Sequence, residues 1–374
     1  REICSLLYEK TVTNEGLFLP WRDFRWDPIG RHYGTLVSQT RMIYNFAEAY
    51  KKNHEKKYLD EVKKGCRFLL DRFKDPKNGG YFYSCDVKGN IIDSRKDSYG
   101  HAFVIFGLSH AAKAAKNSEF KEEALKTWGF MKKVLRDEYG GLYTKLSCDF
   151  EVLEKRRSQN PIMHLFEALL ALSELEGMDH ILGEAVDVAD FILDRLVRHK
   201  DHHLPEYYDK DWNELPEEQG GNLDVGHAFE WAYLLSYAVE RGLPESYLWH
   251  AEKLLANGLA MGFDPKEGGI FSPASPDGNS VQKIKGWWEQ CEAVRTMIHF
   301  AFVRNKDSLW DPLKKTIDFI QSSMIDHENK GWYTFLAEGM DHINQEKLTP
   351  GKVYYHTIGM CLEVFRHYGE ENII

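Results

Sequence analysis

Apolar residues recur along this chain at the spacing of one helix face, in segments that come in pairs. A period of about 3.6 residues predicts amphipathic α-helices. Residues 1–8 supply a further helix, expected to pack beside the last pair. The paired segments span residues 35–52, 57–74, 98–115, 119–136, 160–177, 181–198, 225–241, 245–260, 287–304, 309–325 and 352–368.

A short glycine motif separates the pairs. It reads as an acidic or amide residue, a polar spacer, glycine, and then an aromatic or apolar pair. Successive copies begin 61, 62, 64, 63 and 62 residues apart. Glycine at this place predicts a left-handed residue that ends the second helix of each pair. The copies are NEGLF from Asn14, DPKNGGYF from Asp75, DEYGGLY from Asp137, a degraded DHHLPEYY from Asp201, DPKEGGIF from Asp264 and DHENKGWY from Asp326.

The repeat length defines the fold class. Two helices in ~62 residues exceed the periods of tetratricopeptide and armadillo-type solenoids. Six such pairs predict an all-α fold, the (α/α)6 barrel, with six inner and six outer helices. Aromatic segments after the glycines, such as 81–86 with 91–94, predict short β-hairpins over one mouth of the barrel. No linker interrupts the chain, so residues 1–374 are expected to form a single domain.

Composition removes several function classes. The net charge is -10 and no basic stripe occurs, so nucleic acid is not an expected partner. No apolar run reaches the roughly 18 residues of a membrane span, and the first residues do not resemble a secretory signal. The six cysteines form no CxxC pair, which suits a reducing compartment. We expect a cytoplasmic protein that binds a monosaccharide, touches no membrane, and could pair as a homodimer.

One register position in the first helix of each pair is polar. Four of these six residues are histidines, although the chain has only 16 His in 374 residues. Buried polar groups are costly unless paired, so a shared site explains them better than a core does. Glu167 and Glu230 follow a histidine by three residues, on the same helix face. The six positions are Arg41, His101, His164, His227, Gln290 and His356.

These residue types suit proton transfer on a sugar. Histidine titrates near neutrality and can act as acid or base. Carboxylates fix histidine tautomers and bind hydroxyls, and Arg41 offers a planar guanidinium. Trp287 or Trp288 could form an apolar wall against a pyranose. Neither GxGxxG nor GxxxxGK[ST] occurs, so no nucleotide cofactor is expected.

Three other functions use parts of the same pattern. Two His-x-x-Glu pairs are typical of di-metal sites, but those sites need two further glutamates, so no metal is expected. Glu230 and Glu292 could serve a glycoside hydrolase, which has no use for four histidines. A non-enzymatic interaction protein would leave the inward polar residues unexplained.

Five segments resemble the N-acylglucosamine 2-epimerase superfamily, and together they extend along the whole chain. The resemblance implies an (α/α)6 barrel that moves a proton at sugar C2 without a cofactor, with His227 and His356 as acid and base. The segments are SQTRMIYNFA at 38–47, QNPIMHLFEALLAL at 159–172, GHAFEWAYLL at 226–235, WWEQCEA at 287–293 and YYH at 354–356.

The expected site combines this resemblance with the register and the tryptophan wall. Arg41, His164, Glu230 and Glu292 take substrate-binding and supporting roles by resemblance. Asn160, Trp288 and Gln290 complete the expected substrate-binding set. Further candidates are His101, Glu167 and Trp231.

Two residues bear on the branch within this superfamily. Its epimerase branches tend to carry Arg three residues after the last catalytic His, where this chain has Gly359. GHAFEW, with Trp231, is more similar to the isomerase branch. The prediction is therefore aldose–ketose isomerisation of the mannose–fructose type through a cis-enediolate. N-acylglucosamine 2-epimerase or another sugar 2-epimerase is the alternative.

Overall fold

A computed structural model describes residues 1–339, 342–344 and 346–369 and is mainly helical. In this part of the chain no helix has the length and apolarity to cross a membrane. The helices are α1 (Glu2–Thr11), α2 (Leu36–Asn53), α3 (Lys56–Phe68), α4 (Ser98–Ala115), α5 (Ser118–Phe130), α6 (Asn160–Ser173), α7 (Ile181–Phe191), α8 (Val225–Glu240), α9 (Tyr247–Gly262), α10 (Trp287–Val303), α11 (Trp310–Phe319) and α12 (Tyr355–Tyr368). The strands are β1 (Tyr33–Thr35), β2 (Ser84–Asp86), β3 (Ile91–Asp93), β4 (Lys96–Asp97), β5 (Lys145–Leu146), β6 (Arg157–Ser158), β7 (Tyr207–Tyr208), β8 (Ile284–Gly286), β9 (Phe335–Ala337) and β10 (His342–Asn344).

The chain divides into two compact units. The first contains α1 to α7 and the second contains α8 to α11 and almost all of α12. The organisation of residues 1–374 as one domain stays a prediction, as does the packing of residues 1–8 beside the last helix pair. The first unit is Arg1–Ile192, Asp209–Asn213 and Leu348–Tyr355; the second is Leu193–Tyr208, Glu214–Lys347 and His356–Ile374.

In the first unit, α2, α4 and α6 form the buried layer. Almost every residue of these helices is buried, whereas α3 and α5 bury only one stripe. The helix α4 packs between α2 and α6, and each of the three packs against the helix that follows it in the chain. Gly107 allows close packing, because a Cβ there would lie 2.8 Å from the carbonyl oxygen of Thr40. Strands β1, β2 and β3 form an antiparallel sheet, which confirms the hairpin predicted near residues 81–94.

The second unit repeats this plan. The helix α8 packs against α9 and α10, and α10 packs against α11. The buried helices α8 and α10 again bury most of their residues. Strands β8, β9 and β10 form an antiparallel sheet before the start of α12.

Buried ion pairs hold the glycine loops. The aspartate that begins a loop accepts backbone N–H groups of that loop, and it also binds a lysine or arginine about 21 residues later. Such pairs are tolerated in a core because each charge is both paired and hydrogen-bonded. The fourth copy differs, since Asp201 pairs with Arg198 at 3.1 Å and residue 222 is Asn. The pairs are Asp75–Lys96 at 2.8 Å, Asp137–Arg157 at 3.2 Å, Asp264–Lys285 at 2.7 Å and Asp326–Lys347 at 2.7 Å.

The predicted glycine caps of the outer helices are wrong. The helix α5, for example, continues into a π-helical turn, Met131–Leu135, and leaves it in extended conformation at Arg136. The Arg136 N–H donates to the Met131 carbonyl at 2.9 Å. This wider turn satisfies a terminal carbonyl, so no left-handed cap is needed. Gly140, at φ 95°, instead forms the loop that follows.

Candidate active site

His227 lies in the first turn of α8. The side chain of Asp224 caps this helix by accepting the Gly226 N–H at 3.0 Å. The Nδ1 of His227 donates to Glu206 Oε2 over 2.7 Å. Burial alone would lower the pKa of His227, but the charges of Glu206 and Asp224 and the Glu206 hydrogen bond raise it to about 10. His227 is therefore an imidazolium at neutral pH, ready to donate a proton.

Two buried acids near His227 have weakened acidity. Burial raises the pKa of Asp224, while the charge of His227 opposes that rise. Burial, together with the charge of Asp224, raises the pKa of Glu289 to about 8. Glu289 therefore keeps its proton at neutral pH, and the charged histidine is stabilised by the other carboxylates.

His356 stands in the first turn of α12 and has the same kind of partner. Its Nδ1 is 2.7 Å from Oε1 of Glu292, which comes from α10. The half-buried ring of Trp288 lies beside both histidines, with centroid distances of 5.0 Å to His227 and 5.3 Å to His356. The two histidines thus flank one indole, and each has Nδ1 held by a carboxylate. This arrangement leaves Nε2 as the nitrogen for proton transfer.

Glu230 is a second acid beside His356. Ligand atoms of Glu230, Glu292 and His356 all lie within 4.8 Å of one another. These groups could bind several hydroxyls of a sugar, and they also have the chemistry of a divalent-metal site. A second group of that kind is His299, Glu363 and His367, on α10 and α12.

The first unit holds another cluster of predicted residues. Arg41 donates from Nη1 to the Gly351 carbonyl at 3.1 Å and from Nη2 to the Tyr99 hydroxyl at 2.5 Å. The Nδ1 of His164 is 3.2 Å from Glu167 Oε2, and that oxygen also accepts the hydroxyl of Tyr355. These contacts fix a guanidinium and an imidazole among aromatic rings, which suits recognition of hydroxyl groups.

His101 and Gln290 hold loops. The Nδ1 of His101 donates to the Asp97 carbonyl at 2.7 Å, and its Nε2 accepts the Tyr81 N–H at 2.9 Å. Burial lowers its pKa to about 4, so the ring is neutral. The amide of Gln290 does the same for its own loop, accepting the Ile270 N–H at 2.7 Å and donating to carbonyls of Ile270 and Gly286 at 2.9 Å. The polar atoms of both side chains are therefore engaged by backbone.

The remaining predicted residues occupy different surroundings. Trp231 is completely buried in α8 and is part of the core. Asn160, a predicted substrate-binding residue, is the first helical residue of α6 and follows the cap residue Gln159. The backbone N–H of Asn160 donates to the Ser158 hydroxyl at 3.1 Å, so Ser158 does the work of a cap.

Sequence reasoning missed Glu206, the partner of His227. Glu206 belongs to the degraded fourth copy, DHHLPEYY, five residues after its aspartate. Glycine holds that place in the second, fifth and sixth copies, as Gly80, Gly269 and Gly331. The departure from the repeat was therefore the signal. Gln39 was missed too. Its side-chain amide donates to the Gly16 carbonyl at 2.9 Å, whereas the predicted polar position of this first helix was Arg41, two residues later.

Comparison with known proteins relates this chain to sugar isomerases and epimerases. The family model described as N-acylglucosamine 2-epimerase matches residues 27–360. The D-mannose isomerase of Marinomonas mediterranea is 29% identical, over 91% of this chain and 88% of the relative. The cellobiose 2-epimerase of Dictyoglomus turgidum is 25% identical, over 94% of this chain and 92% of the relative.

A solved structure confirms the fold class. The crystal structure of a D-mannose isomerase matches with a TM-score of 0.92 at 26% identity, and the match covers 98% of this chain and 95% of that one. The all-α class predicted from the repeat, the (α/α)6 barrel, is thereby confirmed.

Proposed function

We propose that this protein interconverts an aldose and a ketose of the mannose–fructose type. The chain belongs to the N-acylglucosamine 2-epimerase family, and it is a sugar isomerase or epimerase. The observation that carries this proposal is the pair of histidines beside Trp288, each with a carboxylate 2.7 Å from Nδ1. Isomerisation needs one group to give a proton and another to take one. His227 and His356 are the proposed catalytic residues.

Ring opening is the first proposed step. His227, held as an imidazolium by Glu206, donates a proton to the ring oxygen of the pyranose and then takes the proton of the O1 hydroxyl, so it is an imidazolium again when the ring has opened. The product is the open-chain aldehyde. Trp288 would line the apolar side of the sugar.

Proton transfer between C2 and C1 follows. His356 takes the C2 proton while the aldehyde oxygen receives a proton from His227, which gives a cis-enediol. His227, now neutral, removes the O2 proton as His356 returns its proton to C1, and the ketose results. Polar groups that meet the developing charge on the oxygens lower the barrier. Arg41 and His164 stay predicted substrate-binding residues.

The proposed substrate is an unphosphorylated sugar. Glu206, Glu230 and Glu292 are all buried, and buried carboxylates favour neutral hydroxyl groups over an anionic phosphate. The same charges suit a positively charged acid such as His227.

Epimerisation at C2 is the second candidate. It uses the same cis-enediol, but the proton returns to the other face of C2. Gly359 favours isomerisation, because the epimerase branches resemble one another in carrying Arg there. The D-mannose isomerase and cellobiose 2-epimerase relatives represent both outcomes.

The reaction can be followed by proton NMR in deuterated water. Purified protein is incubated separately with D-mannose, D-fructose, D-glucose, N-acetylglucosamine and mannose 6-phosphate. We expect mannose and fructose to interconvert faster than any other pair and mannose 6-phosphate to react at least tenfold more slowly. Formation of a C2 epimer with no ketose would place the enzyme among the epimerases instead.

We also propose a cytoplasmic location and a homodimeric assembly. Free thiols at all six cysteines support a reducing compartment. Sedimentation equilibrium would give the mass, and an active monomer would contradict the dimer.

A further inference from the structure

The carboxylates that contact His227 and His356 have different charged neighbours. Around His227, Glu206 is joined by a second acid, Asp224. His356 also has two acids beside it, Glu292 and Glu230, but here a cation accompanies them, since Nη1 of Arg295 lies 3.4 Å from Oε2 of Glu292. Glu292 is completely buried and the Arg295 side chain is only 11% exposed, so water screens this pair weakly.

Arg295 is fixed in this place by its neighbours. Its guanidinium carbon lies 3.9 Å from the ring centre of Tyr233, whose hydroxyl donates to Glu363 at 3.1 Å. Gly359 adjoins the guanidinium, because a Cβ at residue 359 would be in van der Waals contact with it at 3.5 Å. A longer side chain at residue 359 would compete with Arg295 for the same space.

We propose that Arg295 is a positioning residue that assigns the base role to His356. Arg295 partly neutralises the negative charge of Glu292. Glu292 can then orient the imidazole of His356 through a hydrogen bond without stabilising its protonated form. His227, among carboxylates, is the acid. This inference rests on the proposed isomerase function. Within the second unit His356 has the carboxylates of Glu230 and Glu292 beside it, and Arg295 contacts the Glu292 oxygen that is not bonded to His356.

The pH profile of kcat/KM for mannose tests the proposal. Arg295→Met removes the charge but keeps an unbranched side chain, whereas Arg295→Lys keeps the charge. Without the cation, Glu292 acts wholly on His356, so the base is protonated at higher pH and the acidic limb should move up by about one pH unit. The Lys variant should keep the acidic limb near that of the wild type, and the alkaline limb should stay in place in both.

Two further measurements separate this role from loss of structure. Near-UV circular dichroism and sugar binding identify a misfolded variant, and a titration of His356 followed by 15N NMR reports its protonation even where turnover is lost. In a Glu292→Gln background, adding Arg295→Met should move the acidic limb no further. An Arg295→Met enzyme whose limb and NMR titration match the wild type would overturn the proposal. A wild type that makes no ketose would instead contradict the proposed function, and the NMR titration would still decide the role of Arg295.

Discussion

His101 and His227 occupy the same place in the same tetrapeptide, GHAF, at residues 100–103 and 226–229. Backbone groups bind both ring nitrogens of His101, and burial lowers its pKa to about 4. His227 is buried as well, yet the carboxylates around it raise its pKa to about 10. One local sequence therefore gives a neutral histidine that holds a loop and a charged histidine that can donate a proton.

The loop before each helix makes the difference. Gly80 precedes the N–H that His101 accepts, and a Cβ at this glycine would lie 2.7 Å from His101 Nε2. In the fourth copy of the motif the same place is Glu206, which meets His227 with an oxygen. A loop with glycine allows a backbone N–H to contact the histidine, whereas a loop with glutamate in place of the glycine places a carboxylate against it.

Replacing the two histidines should give the largest contrast. General acid–base catalysis typically contributes 10²–10⁴-fold per group, so His227→Ala or His356→Ala should lower kcat by about that factor. Both variants should still bind sugar yet lose deuterium exchange at C2. Near-normal exchange in either folded variant would mean that another group carries the proton.

His101→Gln is the matched control. Gln290 already performs the same loop contact with an amide, so glutamine at residue 101 should keep both backbone hydrogen bonds. We expect its kcat to fall less than tenfold. A loss as great as that of His227→Ala would show that His101 takes part in the reaction and would remove the contrast between the two copies.

Glu206→Gln should have a smaller effect on the same histidine. Without this carboxylate the pKa of His227 falls, so the alkaline limb of the pH profile should move to lower pH and kcat at pH 7 should drop about tenfold. Glu289→Gln is the control, because a side chain with a pKa of about 8 is already neutral at pH 7 and an amide resembles it. Equal losses in the two variants would argue that packing, rather than charge, explains the result.

The fold was predictable from the sequence because the same order of secondary-structure elements repeats along the chain. Six copies of a helix pair and a glycine loop specify the class without any knowledge of side-chain contacts. The helix ends were not predictable, since a π-helical turn and a left-handed glycine cap satisfy the same terminal carbonyls. Glycine at residue 140 is compatible with either.

The candidate site was only partly predictable, for a different reason. Register identified His227 and His356, but it selected His101 and Gln290 equally, since all four are polar residues on buried helices. The four residues differ in the loop or helix that faces each side chain. The sequence of one helix does not tell which segment will face it. Glu206 could have been found only by asking which loop copy had lost its glycine.

The stability of the folded state should depend on pH in opposite ways at the two histidines. The folded pKa of His227 lies above the ordinary 6.5, so its contribution is complete below about pH 6.5 and is lost as pH rises toward 10. The folded pKa of His101 lies below 6.5, so its contribution is lost as pH falls toward 4. Thermal unfolding from pH 4 to 10 should show Glu206→Gln flattening the alkaline side and His101→Gln the acidic side, by about a few degrees in Tm. A uniform shift across all pH values would contradict this assignment.

Chelation should have the smallest effect, and it tests what kind of residue His356 is. Glu230, Glu292 and His356 are close enough to bind a divalent cation, and a metal there would make His356 a ligand rather than a base. The hydrogen bond between His356 and Glu292 gives the pair the same form as His227 with Glu206, which needs no metal to transfer a proton. We therefore expect prolonged dialysis against EDTA to change kcat/KM less than about twofold, with zinc, manganese or magnesium restoring nothing further. Loss of turnover that a divalent metal restores would show that the two histidines differ in kind, with His227 as the acid and His356 as a metal ligand.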